Sequence, residues 1–218
     1  MDLEYILSKT DHTILKPDAS EKEVLMIVGE AVEFGAASAC IPPCYIKRAR
    51  EEYGEKVRLC AVAGFPNGYM QTAVKVFECG KAVEDGADEV DVVINVGKFK
   101  SGDYSFVKNE LDEIRKITEG KILKIIVETA LLTDEEILTS GKTVTDCGAD
   151  FIKTSTGFAS RGATLKDIEL FKRSVGKEVK IKAAGGIRTF SSAEEFLSAG
   201  ADRIGASALV RLYKEIGR

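Results

Sequence analysis

Four stretches of the chain read almost alike: EFGAAS (33–38), EDGADEV (84–90), DCGADFI (146–152) and SAGADRI (198–204). Each closes a helical pattern and enters an apolar, β-branched run. Gly35, Gly86, Gly148 and Gly200 stand where a helix would end in the left-handed conformation that glycine adopts at little cost. These glycines return after 51, 62 and 52 residues. Repeated loop chemistry explains each stretch singly, but so regular a return favours a fold assembled from repeating βα pairs.

Working outward from these stretches, strand-like runs appear at HTIL (12–15), SACIPP (38–43), VRLCAVAGF (57–65), EVDVVIN (89–95), ILKIIVET (122–129), FIKTST (151–156), VKIKAAGG (179–186) and RIGAS (203–207). Helical patterns fall near 20–34, 45–53, 70–85, 104–118, 133–147, 164–174, 191–199 and 208–216. Asp18 or Ser20 with Glu23, Thr133 with Glu136, Thr164 with Asp167 and Ser191 with Glu194 resemble capping boxes at the helix starts. Strands alternating with helices imply a parallel sheet joined by crossover helices. Eight such units predict the α/β class and a (β/α)8 TIM barrel, as a single domain over 1–218. A doubly wound open sheet is the competing architecture.

The 218 residues, 44% hydrophobic and 30% charged with four prolines, describe an ordinary globular chain. A net charge of −4, with Lys and Arg scattered, lacks the basic footprint of a nucleic-acid binder. No apolar run reaches the length of a membrane span, and MDLEYILSKTDH carries acids where a secretory signal has basic residues, so the expected location is cytoplasmic. Five cysteines in unpaired spacing read as reduced thiols. Cys40 and Cys44 lack a second ligand pair, His12 being the only histidine, so no metal is expected.

In a barrel, catalytic groups gather at the C-terminal ends of the strands. Lys153 interrupts the apolar run ADFIKTSTG, and Lys182 sits toward the end of the next strand, VKIKAAGG. Asp91 interrupts EVDVVIN, where period two places Asp91, Val93 and Asn95 on one face. Two ammonium groups roughly 5 Å apart repel by about 3 kcal/mol at an effective dielectric near 20, enough to lower one pKa by roughly two units. The neutral amine so produced is the species that forms a Schiff base with a carbonyl. On the residues alone, lysines that merely face solvent or pair with carboxylates stay open as the alternative.

Taken together, DHTILK, DEVDVVIN, FIKTSTGF, KAAGGIR and RIGAS resemble the deoxyribose-phosphate aldolase family, in order and over essentially the whole chain. The resemblance implies a class I aldolase that reversibly cleaves 2-deoxy-D-ribose 5-phosphate to D-glyceraldehyde 3-phosphate and acetaldehyde without a cofactor. It implies Lys153 as the Schiff-base lysine, Lys182 as the residue that perturbs its pKa, and Asp91 as a proton relay.

A phosphate site is read separately, since barrels commonly hold phosphate with the loops after strands seven and eight. Gly185, Gly186, Gly205 and Ser207 occupy those loops, and Thr156 and Gly157 add the loop after strand six. Tight βα turns without a ligand are the plainer alternative. The residue after STG is Phe158, where some relatives carry a basic residue; this moves the expected contacts toward Arg188 and backbone donors. Asp11 is expected to hydrogen-bond in the pocket, His12 to be structural and Cys40 to be a buried thiol. The expected partners are a phosphorylated small molecule and a second copy of the chain, as dimer or tetramer; no nucleic acid or membrane is expected. Another Schiff-base aldolase, a sugar-phosphate isomerase or a phosphometabolite-binding regulator are the competing functions.

Overall fold

Apolar β-branched runs flanked by amphipathic helices call for a parallel sheet covered by helices, and here that sheet is closed on itself. The computed structural model describes residues 1–216; the last two residues of the expected 1–218 domain lie outside them. Eight parallel strands form the closed barrel β1 to β8: β1 Thr10–Thr13, β2 Ser38–Ile41, β3 Leu59–Ala63, β4 Glu89–Val93, β5 Ile122–Ile126, β6 Phe151–Lys153, β7 Lys180–Ala184 and β8 Arg203–Ala206. Closure comes from β1 pairing with β8, Asp11 opposite Gly205, which removes the open-sheet alternative. Helices α1 (Leu3–Ser8), α2 (Glu21–Glu33), α3 (Ile46–Tyr53), α4 (Thr72–Glu84), α5 (Val96–Lys100), α6 (Tyr104–Ile117), α7 (Asp134–Asp146), α8 (Leu165–Ser174), α9 (Phe190–Ala199) and α10 (Leu209–Ile216) surround it.

The strands stop earlier than their apolar runs, most of all β5 and β6, which end at Ile126 rather than Thr129 and at Lys153 rather than Thr156. Beyond those points the backbone leaves the ladder to form the rim. α1 and α5 were not expected; both are short and lack the long amphipathic period of the others. Capping boxes form at Ser20–Glu23, Thr133–Glu136 and Thr164–Asp167 as read. The expected Ser191–Glu194 box is replaced by Thr189–Ser192, because α9 starts at Phe190 and puts Thr189 in the extended conformation a cap requires.

Outward-facing Val90, Val92, Leu123, Ile125, Ile152, Ile181 and Ile204 pack under the helices in the main apolar cluster. Among the helix-closing glycines, Gly86 and Gly148 have φ of 105° and 69°. The aspartates that follow do more than punctuate. The Asp88 N–H donates to the Leu59 carbonyl while its carboxylate accepts the Leu59 N–H at 2.9 Å. Asp150 makes the same pair of bonds with Leu123, and Asp202 with Ile181. In the first stretch Ala37 keeps only the backbone bond, to the Thr10 carbonyl. Three of the four odd–even strand pairs are thus fastened at the N-terminal rim by one side chain. Asp150→Ala, which strands the Leu123 N–H and unpairs Arg115, is expected to lower unfolding stability by about 1–3 kcal/mol; chemical denaturation with an unchanged slope checks it.

Candidate active site

Barrel interiors are ordinarily filled with branched apolar side chains. This one is filled with charge. Three carboxylates, Asp11, Glu89 and Asp91, and four cations, Lys124, Lys153, Lys182 and Arg203, are buried together. Strand register explains their meeting: Asp91 lies opposite Lys124, Lys153 opposite Lys182, and Lys182 opposite Arg203 on neighbouring strands. Asp91 is the hub. Its Oδ1 accepts from Lys124 Nζ at 2.6 Å, and its Oδ2 accepts from both Lys153 and Lys182 at 2.7 Å. Lys124 also reaches Glu89 at 2.6 Å, Lys182 pairs with Asp11, and Arg203 donates to Asp11 Oδ1 at 2.6 Å.

Such a cluster survives burial only because its members are paired. Burial raises the Asp91 pKa, but the Lys124, Lys153 and Lys182 cations outweigh it and hold this carboxyl well below the usual carboxylate range. Burial likewise pulls Lys182 down, and the Asp11 and Asp91 carboxylates more than offset it, holding the ammonium above the ordinary lysine value. The simple picture of two lysines repelling each other is therefore incomplete: a shared carboxylate oxygen stands between them. Three negative groups facing four positive ones leave one surplus positive charge when all are ionised.

Only Lys153, of these seven, opens onto the barrel mouth. It lines a cavity of about 300 Å³ together with Thr156, Gly157, Gly185, Gly186, Arg188, Gly205 and Ser207, so the structure brings the expected phosphate residues around the lysine. Gly185 is required by packing as well as by its φ of 84°, since a β-carbon there would come within 2.9 Å of the Gly162 Cα. Phe158 lines the same cavity and meets Phe65 edge-on at 5.4 Å. Lys16, at the same mouth, was not singled out from sequence; it pairs with Glu23.

Three expectations are corrected. Asp11 does not reach the cavity: it is fully buried beneath it, held by Lys182 and Arg203. The Thr156 N–H and hydroxyl are both donated to the Glu128 carboxylate, so they are not free for an anion. Asn95 lies past the end of β4 and caps α5 through Lys98 N–H, so it does not share the face of Asp91. His12 behaves as read. It points away from the interior to Glu30 at 2.8 Å, and burial lowers its pKa. Cys40 is buried beside Cys60 and Val62.

Sequence reasoning passed over Lys124, Glu89 and Arg203, although the signal that found Lys153, a charge inside an apolar strand, marks each of them. Two groups of possible metal ligands occur in the interior, Cys40–Cys60–Asp91 and Asp11–Cys60–Glu89. Their carboxylates are already engaged by ammonium and guanidinium groups. Among the described residues no helix is long and apolar enough to cross a membrane.

Comparisons with known proteins show the family of the chain. Residues 6–211 match the model of the DeoC/LacD family aldolases. A deoxyribose-phosphate aldolase of Clostridioides difficile (strain 630) is 48% identical over 212 residues, covering 97% of each chain. Among solved structures, the aldolase QR15 superposes with a TM-score of 0.92 at 44% identity, covering 97% of this chain and 95% of its own. The deoxyribose phosphate aldolase from Aeropyrum pernix, described as tetrameric, superposes at 0.91 with 31% identity, covering 99% and 92%. With a family match over nearly its full length, an interior built around Asp91 and a lysine at the mouth, the chain belongs to the deoxyribose-phosphate aldolase family.

Proposed function

We propose that the chain is a class I aldolase that reversibly cleaves 2-deoxy-D-ribose 5-phosphate to D-glyceraldehyde 3-phosphate and acetaldehyde, with Lys153 as the Schiff-base lysine. The observation that carries this reading is a single lysine opening from a charged interior onto a glycine-lined cavity. Of the three lysines, Lys153 has the fewest carboxylate contacts and the only exit to the mouth.

In the cleavage direction the Lys153 amine adds to the C1 aldehyde of the open-chain sugar and water leaves, giving an iminium. Removal of the C3 hydroxyl proton lets the C2–C3 bond break, its electron pair flowing to the nitrogen. Glyceraldehyde 3-phosphate departs, and an enamine stays on Lys153. Protonation of the enamine carbon and hydrolysis release acetaldehyde and the amine. We assign these proton transfers to Asp91 and Lys182, which share Asp91 Oδ2 with Lys153. Gly157, Gly185, Gly186, Gly205 and Ser207 supply backbone and hydroxyl donors for the phosphate, Ser207 just ahead of the α10 N-terminus.

Formation of both aldehydes from 2-deoxyribose 5-phosphate by purified protein with a chelator present tests substrate and metal independence together. A failure of borohydride to label the protein in the presence of acetaldehyde would instead favour an enediol isomerase. Arg188→Met is expected to raise KM for the phosphorylated sugar about tenfold with little change in kcat, since a guanidinium at the rim contributes binding without touching the carbonyl; an equal loss on unphosphorylated deoxyribose counts against it. The tetrameric relative supports a homo-oligomer as a further proposal, which light scattering of the purified protein decides.

A further inference from the structure

Glu128 follows β5 with φ 56° and ψ 68°, and it is the only non-glycine residue of positive φ among the described residues. A β-carbon is penalised in this conformation, and glycine would avoid the penalty. Glu128 also buries its carboxylate, at 3% exposure, with Oε1 lacking a hydrogen-bond partner among the described residues. Glycine would avoid the burial of a carboxylate as well. Both costs point to a role for the side chain itself. Its Oε2 accepts the Thr156 N–H at 3.1 Å and the Thr156 hydroxyl. With that hydrogen turned toward Glu128, the Thr156 Oγ accepts the Phe158 N–H at 3.1 Å. The carboxylate therefore fixes the turn Thr156–Phe158, whose middle residue, Gly157, has φ 89° and lines the cavity wall four residues after Lys153.

We infer that Glu128 is a positioning residue for the phosphate end of the substrate, acting through Thr156 to set the turn that presents Gly157 to the anion. The inference rests on the phosphosugar reading of the cavity. A charged acceptor suits the task because it holds two donors of one residue at once and withdraws them from the anion. Glu128 touches neither the substrate nor the reacting atoms in this account.

The test compares Glu128→Gly, Glu128→Gln and Thr156→Val on 2-deoxyribose 5-phosphate and on 2-deoxyribose, with melting curves for each. Losing a charged hydrogen-bond link is expected to raise KM for the phosphorylated sugar about tenfold in Glu128→Gly, to leave kcat much less affected, and so to lower the preference for the phosphorylated over the plain sugar. Glu128→Gln, which keeps an acceptor oxygen, should recover most of that preference. Thr156→Val should match Glu128→Gly, and the double variant should be no worse than either single one. Equal losses on both sugars, or an unchanged preference in all three variants, overturn the inference. If Glu128→Gly does not fold, Glu128→Gln and Thr156→Val decide by the same readout. Wild-type protein that fails to prefer the phosphorylated sugar sinks the phosphosugar reading, and this inference with it. Wild-type preference that survives in the variants sinks the inference alone.

Discussion

Lys153→Ala is expected to abolish borohydride trapping with acetaldehyde and to lower kcat for aldol cleavage by at least about three orders of magnitude, or about 4 kcal/mol of transition-state stabilisation. The fold is expected to tolerate the change. Removing one of four cations that face three carboxylates leaves the interior balanced, and the lost side chain borders the open cavity instead of the packed core. Melting near the wild-type temperature together with lost trapping separates a chemical role from a structural one. Mass spectrometry of the reduced wild-type adduct locates the imine. An adduct found exclusively on Lys182 would reassign the nucleophile.

Asp91→Asn should do the opposite to stability. It is nearly isosteric, yet it takes away the carboxylate that Lys124, Lys153 and Lys182 share, leaving buried ammonium charge uncompensated at an expected cost of about 3–5 kcal/mol. Turnover should fall as well, because the proton path loses its hub. The acid limb of the stability curve distinguishes the two proteins. The Asp91 pKa is depressed in the folded state, so its contribution is fully present above the unfolded value, about 3.9, and is lost as pH falls below it. Wild-type stability should therefore drop more steeply than that of Asp91→Asn on acidification below about pH 4. Parallel acid limbs in denaturation series would show that Asp91 is not the ionised hub.

Much of this site was legible because charge inside an apolar strand is costly and therefore informative. Lys153, Lys182 and Asp91 stood out on that ground, and strand parity placed them in one interior. The same parity puts Glu89 two residues before Asp91 on its face, and Lys124 and Arg203 on theirs. They lie in a deeper layer than the strand ends where barrel chemistry gathers, so position along the strand did not mark them. Two features had no local signal. The left-handed backbone of Glu128 is decided by where its loop docks on Thr156, a contact 28 residues away in sequence. The closest partners of Asp11 come from β7 and β8, at the far end of the chain. Strand ends were misplaced for a related reason: in FIKTST the β-branched run continues past Lys153, but those residues serve the rim.

The aspartates at the N-terminal rim also divide the barrel into units of unequal cohesion. Asp88, Asp150 and Asp202 each tie an even strand to its odd predecessor by a second bond, while Ala37 leaves β2 joined to β1 by backbone alone. In native-state hydrogen exchange the amides of β1 and β2 should open at lower free energy than those of the three fastened pairs, making the first quarter the segment where partial unfolding begins.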